Sequence, residues 1–172
     1  MNNLFSNPVR TFGLAAAASA TAVLIALVTQ HRFDMQPCPW CVLQRLIFLA
    51  IAAVSLLGMV WRSSNGTIIA ALGIDLLATA GMAAALWQHF VAASSTSCNL
   101  TLADKIISGS GLDGWAPDVF APRASCADSA ATLAGVPYEF WSLSTYAMLA
   151  TLAVLVLLSQ FRQRSGNRAN RA

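Results

Sequence analysis

The stretch Cys38-Pro39-Trp40-Cys41-Val42-Leu43-Gln44-Arg45 leads into a run, Leu46 to Trp61, that carries no charge. That run nears the ~20 residues a helix needs to cross a hydrocarbon core, provided it reaches back past Arg45 towards Cys41. Working outward, Thr11 to Gln30 and Phe140 to Phe161 are also charge-free, and Ser63 to Gln88 holds a single acid, Asp75. Hydrocarbon offers no water to backbone polar groups, so each such segment must satisfy its hydrogen bonds as a helix. The pattern predicts an all-α membrane protein, a four-transmembrane-helix bundle with helices at about 11–30, 40–61, 67–90 and 138–161. The 172 residues then form one integral membrane domain, with loops at about 31–39 and 91–137. Composition agrees, because 10% of residues are charged against about 25% in soluble domains.

Charge bias sets the orientation. Arg10, Arg62, Arg162, Arg164, Arg168 and Arg171 fall on one side, with no acid among them. Asp34, Asp104, Asp113, Asp118, Asp128 and Glu139 fall on the other, with Arg32, Lys105 and Arg123. The positive-inside rule places both termini in the cytoplasm and the cysteine-bearing loops outside. The net charge of +3 is therefore topogenic. No basic patch is interleaved with aromatics, so nucleic acid is not an expected partner. Ala15 to Ala18 precedes the most apolar part of the first segment, Val23 to Val28. A signal peptide has the opposite order, so the segment reads as a retained helix.

All four cysteines, Cys38, Cys41, Cys98 and Cys126, lie on the outer side in this topology. Disulfides persist in such an oxidising space, and two pairs there suggest electron traffic more than stapling. Pro39 suits the first turn of a helix. Pro37 and Pro39 push Gln36 and Cys38 away from helical geometry, which makes Cys38 the flanking residue. Cys41 falls in the first turn, where the helix dipole favours a thiolate. Arg45, four residues on, shares its face and can stabilise a thiolate or an anionic partner. An arginine snorkelling to headgroups is the plainer reading of the same residue. One Cys-x-x-Cys and two isolated cysteines do not match paired zinc spacing, and no metal site is expected. Two purely structural disulfides remain a competing reading.

His89 sits at the outer end of helix three, where it could donate to a carbonyl of a bound ligand at the depth of Arg45; a solvated boundary histidine is the plainer alternative. His31 carries no signal beyond that. Asp75, about 21 Å from His89 along a helix, is too deep for a site at the outer mouth. In the long loop, Ser94 to Ser97 makes Cys98 an exposed, mobile thiol. Leu112, Trp115, Val119 and Phe120 could form one apolar edge of a short interfacial helix, limited by Pro117, or serve as aromatic anchors of an ordinary loop.

Along nearly its whole length the chain resembles the disulfide bond formation protein B family of bacterial inner-membrane thiol oxidases. The resemblance rests on four helices, Cys38-Pro-Trp-Cys41 followed by Val-Leu-Gln-Arg45, Trp87-Gln-His89 before Cys98, Trp115-Ala-Pro-Asp-Val-Phe120, and Cys126 before Pro137. The cysteine pair with its arginine is the specific part; the aromatic and proline pieces are weak alone. The resemblance implies a protein-dithiol:quinone oxidoreductase in the inner membrane, its cysteine loops periplasmic. Its partners would be a periplasmic thiol oxidase of the disulfide bond formation protein A type and the membrane quinone pool, with ubiquinone or menaquinone as cofactor. Cys98 would form the mixed disulfide with the carrier, Cys126 would attack Cys38, and Cys41 would face the quinone beside Arg45 and His89. A strongly oxidising carrier needs a still stronger acceptor, which a quinone supplies. The Pro-Trp dipeptide is not the only one such proteins use, and Asp75 matches no motif of theirs.

Two further readings compete. Vitamin K epoxide reductase-like enzymes also join a four-helix bundle to a quinone, but their redox Cys-x-x-Cys follows the loop pair; here it precedes it. A non-enzymatic membrane scaffold would instead hold two stable disulfides with potentials below about −300 mV.

Overall fold

The computed structural model describes residues 7–61, 63–93, 101–128, 132–133 and 135–169. Among the described residues, four helices are long and apolar enough to cross a membrane. They are α1 (Pro8–Phe33), α2 (Pro39–Val60), α3 (Ser64–Trp87) and α7 (Tyr138–Ala169). Helix α3 continues as a π-helical turn, Gln88–Ala92. Between it and α7 lie α4 (Leu102–Ser110), the single turns α5 (Leu112–Trp115) and α6 (Pro117–Phe120), and a hairpin of two two-residue strands. The hairpin pairs β1 (Thr132–Leu133) antiparallel with β2 (Val136–Pro137).

Local chemistry sets the helix ends. Asn7 caps α1 by accepting from the Val9 N–H, so the helix begins before the charge-free run. Cys38 is the N-cap of α2 and Pro39 its first residue, as the two prolines require. Ser63-Ser64-Asn65-Gly66 reads as a turn from composition, yet only Ser63 stays outside α3. Its hydroxyl accepts the Gly66 N–H at 3.0 Å, which starts the helix earlier than expected. Helix α4 begins with a reciprocal Thr101–Asp104 capping box and ends at Gly111, whose φ of +68° suits a residue without Cβ.

Packing runs α1 on α2, α2 on α3 and α3 on α7, with a looser contact closing α7 back on α1. Helix α3 buries alanines, among them Ala70, Ala71, Ala78 and Ala84. Small residues let membrane helices approach closely where no hydrophobic force drives them together. Gly81 shows the limit: a Cβ there would sit 2.4 Å from the Tyr146 ring. Tyr146 in turn stacks on Phe48, with centroids 4.1 Å apart, and donates to the Gln44 carbonyl at 2.8 Å. Large apolar side chains such as Leu24, Leu57 and Leu76 face outward, the arrangement expected where lipid is the solvent.

The loop packs as a lid over the start of α2. Val42, Ile107 and Phe120 are buried together, with Leu112 and Val119 against them. The expected apolar edge is therefore split. Leu112, Val119 and Phe120 turn inward, while Trp115 is 81% exposed. Pro117 starts a new turn, so Val119 and Phe120 join Leu112 on the inner side while Trp115 is left outside.

Candidate functional site

The N-terminus of α2 gathers the reactive groups. Cys38 is fully buried and half-buried Cys41 lies one turn on. Their sulfurs are 2.7 Å apart, and Cys38 Sγ accepts the Cys41 N–H at 3.3 Å. Closing a disulfide between them needs only a small side-chain adjustment.

Cys126 reaches this pair from the loop. The Arg123 and Ala124 N–H groups donate to the Pro37 carbonyl at 2.9 and 3.3 Å. This anchors the loop one residue before Cys38 and delivers half-buried Cys126 beside it. The Cys126 thiol is held below its ordinary value, chiefly by a hydrogen bond from Cys38 and also by the Trp40 N–H; burial and the Cys41 charge oppose this. Cys98 lies outside the described residues.

On the other side of Cys41 a cavity of about 300 Å³ opens between α1, α2 and α7. Its wall is largely apolar, with Ala22, Ile25, Ala26, Phe48 and Trp141; its polar members include Arg45, Gln44, Gln88, Tyr138 and Glu139, with the hydroxyls of Ser142 and Thr145. Its Ile25 and Trp141 walls are about half exposed on the lipid-facing surface of the bundle.

Arg45 is buried one turn from Cys41 on the same helix. It donates to Gln30 Oε1 at 2.6 Å, the Val119 carbonyl at 3.2 Å and the Ala26 carbonyl at 3.3 Å. Gln30 itself donates to the Asp118 carbonyl at 3.1 Å. The guanidinium thereby ties α1, α2 and α6 together. Among the described residues, no carboxylate lies within ion-pairing distance of it. A buried cation without an acid is costly unless neutral acceptors or a ligand compensate it. An arginine snorkelling to headgroups would not be buried in this way.

His89 stands apart from the cavity lining. The wider π turn aims two adjacent side chains at different neighbours. Gln88 faces α2, donating to Cys41 Sγ at 3.3 Å and accepting from Gln44 Nε2 at 2.7 Å. His89 faces α7, with Nδ1 2.6 Å from Glu139 Oε1, and Glu139 lines the cavity. His89 thus meets a residue of the cavity lining without lining the cavity itself. Gln44, Gln88 and Glu139 escaped the sequence reading. Both glutamines neighbour residues already singled out, and Glu139 was counted as an outer-loop acid. Asp75 on α3 does not line the cavity.

Residues 8–156 match the family described as Disulfide bond formation protein DsbB. Disulfide bond formation protein B of Ralstonia nicotianae is 29% identical over 157 residues, covering 90% of this chain and 97% of that protein. Disulfide bond formation protein B of Yersinia pestis is 30% identical over 152 residues, covering 86% and 85%. Disulfide bond formation protein B 2 of Pseudomonas syringae pv. syringae is 29% identical over 153 residues, covering 87% of each.

Proposed function

The chain belongs to the DsbB family of disulfide bond formation proteins, and from that premise we propose that it carries electrons from a periplasmic dithiol to a membrane quinone. The dithiol is a carrier of the disulfide bond formation protein A type, and the quinone is ubiquinone or menaquinone. The observation that carries this reading is the split orientation of one cysteine pair. Cys38 lies against Cys126, while Cys41 faces the cavity.

The exchange steps balance as follows. A carrier thiolate attacks Cys98 of a Cys98–Cys126 disulfide, forms a mixed disulfide and expels Cys126 as thiolate. Cys126, seated beside Cys38, attacks Cys38 of a Cys38–Cys41 disulfide. The Cys126–Cys38 bond forms and Cys41 leaves as thiolate beside Arg45. The carrier's second thiolate then closes the carrier disulfide and expels Cys98. Cys98 recovers Cys126, and Cys38 is released. The net result is one new disulfide in the carrier and one reduced pair, Cys38 and Cys41.

The cavity suits a quinone ring. A flat, mostly apolar molecule with two carbonyl acceptors meets apolar walls, a buried guanidinium held by neutral acceptors, and glutamine donors. When bound, the quinone supplies a sink for two electrons and two protons. Arg45 holds negative charge on Cys41 and on the ligand's oxygens, and Gln88 orients the Cys41 sulfur. Orientation follows the arginine bias, with the cysteine end periplasmic and both termini cytoplasmic in the bacterial inner membrane.

The test is direct. Full-length protein in nanodiscs, given reduced carrier and a short-tailed ubiquinone, reduces the quinone, and Cys41→Ser abolishes the reduction. An unchanged rate in Cys41→Ser would overturn this electron path.

A further inference from the structure

Oxidising two thiols to a disulfide releases two electrons and two protons. In the proposed relay the carrier's thiol protons are lost where it meets the loop, outside the bundle, while the acceptor must gain two protons inside an apolar cavity. Of the titratable groups lining that cavity, Arg45 stays charged, Cys41 is the electron donor, and the Tyr138 hydroxyl is engaged with Thr29 at 3.4 Å. Helix α1 contributes Ala22, Ile25 and Ala26, which do not titrate. Glu139 is the remaining acid, 8% exposed and paired with His89.

We propose that Glu139 is the proton donor to the quinone in the cavity and that His89 reloads it from water at the cysteine end. This rests on the quinone reading above. The pair is built for the task. Its atoms are 2.6 Å apart, so one proton can move between Nδ1 and Oε1 without rearrangement. The carboxylate is buried, whereas the imidazole side chain is 32% exposed. Phe90 and Phe140 meet the imidazole edge-on, with centroids at 4.9 and 4.7 Å, and fix its plane. Nδ1 is committed to Glu139, which leaves Nε2 for water. The π turn makes this possible, since it aims His89 at α7 while Gln88 keeps Cys41. Such turns recur at functional sites.

In each passage the Glu139 O–H breaks as an O–H forms on the acceptor. The His89 proton then moves to Glu139, and water returns one to His89. Two passages deliver the two protons that match the two electrons from Cys38 and Cys41.

Full-length protein in phosphatidylcholine nanodiscs tests this, with a short-tailed ubiquinone as probe. Glu139→Gln is expected to slow probe reduction on the order of a hundredfold. Its affinity for the probe, read by tryptophan quenching, should stay within about twofold of wild type. Added formate should restore part of the lost rate, as imidazole should for His89→Gln. Without quinone, the infrared difference between wild type and Glu139→Gln should isolate the carboxyl bands of this side chain, and their frequency should move in His89→Gln, which removes the 2.6 Å contact. Wild-type turnover in Glu139→Gln overturns the proposal while sparing the quinone reading, as does absence of rescue in both variants or a band indifferent to His89. A wild-type protein unable to reduce the probe overturns both.

Discussion

The two ends of the bundle are clamped by similar means but hold different chemistry. At the far end, Ser64 donates to Gln160 at 3.2 Å, and exposed Arg164 donates to Ser64 and Asn65. That network joins α3 to α7 and touches nothing reactive. At the cysteine end, buried Arg45 joins α1, α2 and α6, and the glutamines and glutamate around it border a cavity and a sulfur. Both arginines make several hydrogen bonds. What separates them is burial. A guanidinium in water is screened and contributes little, whereas one taken out of water needs every partner it has. The cysteine end accepts this cost, and it is where the reactive sulfurs lie.

Removing each clamp sharpens the contrast. Arg45→Ala strips the donor from Gln30, Ala26 and Val119 and should cost roughly 2 kcal/mol or more of stability. It should also raise the apparent KM for quinone about tenfold or more, a loss of ~1.4 kcal/mol in binding. A wild-type melting curve and wild-type quinone kinetics would make the two arginines equivalent and erase the comparison. Gln88→Leu keeps the volume near α2 but removes the donor to Cys41 and unpairs Gln44. We expect a severalfold slower quinone reduction, about 1 kcal/mol, with carrier docking unchanged. Equal slowing of carrier exchange in stopped-flow mixing would show that Gln88 acts on the fold and not on the sulfur.

The pH response of Cys126 probes the same end more gently. Its thiol is held below the ordinary value, first by the hydrogen bond from Cys38. Above that depressed value the folded protein carries a thiolate that an unfolded chain would still keep protonated. Stability from this site is therefore present above the unfolded thiol pKa and is lost as pH falls through the folded one. Alkylation of Cys126 in a Cys98→Ser background should titrate below an ordinary thiol, and Cys38→Ala should move the midpoint upward. A midpoint indifferent to Cys38 would remove the contact between them. At the far end, Arg164→Ala should change stability by no more than about 0.5 kcal/mol and leave quinone kinetics alone. A larger effect on either would mean that the far end is coupled to the site.

How much of this was legible depends on the range of the interaction. The four spans emerged within about two turns of their ends, because freedom from charge is a local property and hydrocarbon enforces it. Cys38 as cap and Cys41 with Arg45 on one face followed from prolines and helical spacing. Helix α4 was missed although Thr101 and Asp104 stand at capping-box spacing; the absence of long apolar runs hid it. The seating of Cys126 beside Cys38 depends on Pro37 accepting from Arg123 and Ala124, and backbone contacts across a loop leave no residue pattern. The π turn that sends Gln88 and His89 to different helices is likewise silent in the sequence, and Glu139 gained its place only once α7 began at Tyr138. The cysteine roles proposed above come from the resemblance, and the structure adds the neighbours of Cys38, Cys41 and Cys126.

On the proposed route the loop hands electrons to the bundle through Cys126 and Cys38. Cys41→Ser leaves Cys38 without its pair and should trap that handover. Peptide mass spectrometry of the unreduced variant, alkylated on harvest, should find Cys38 linked to Cys126 as the dominant disulfide. Cys38 linked mainly to Cys98, or unlinked beside an intact Cys98–Cys126 bridge, would contradict the account.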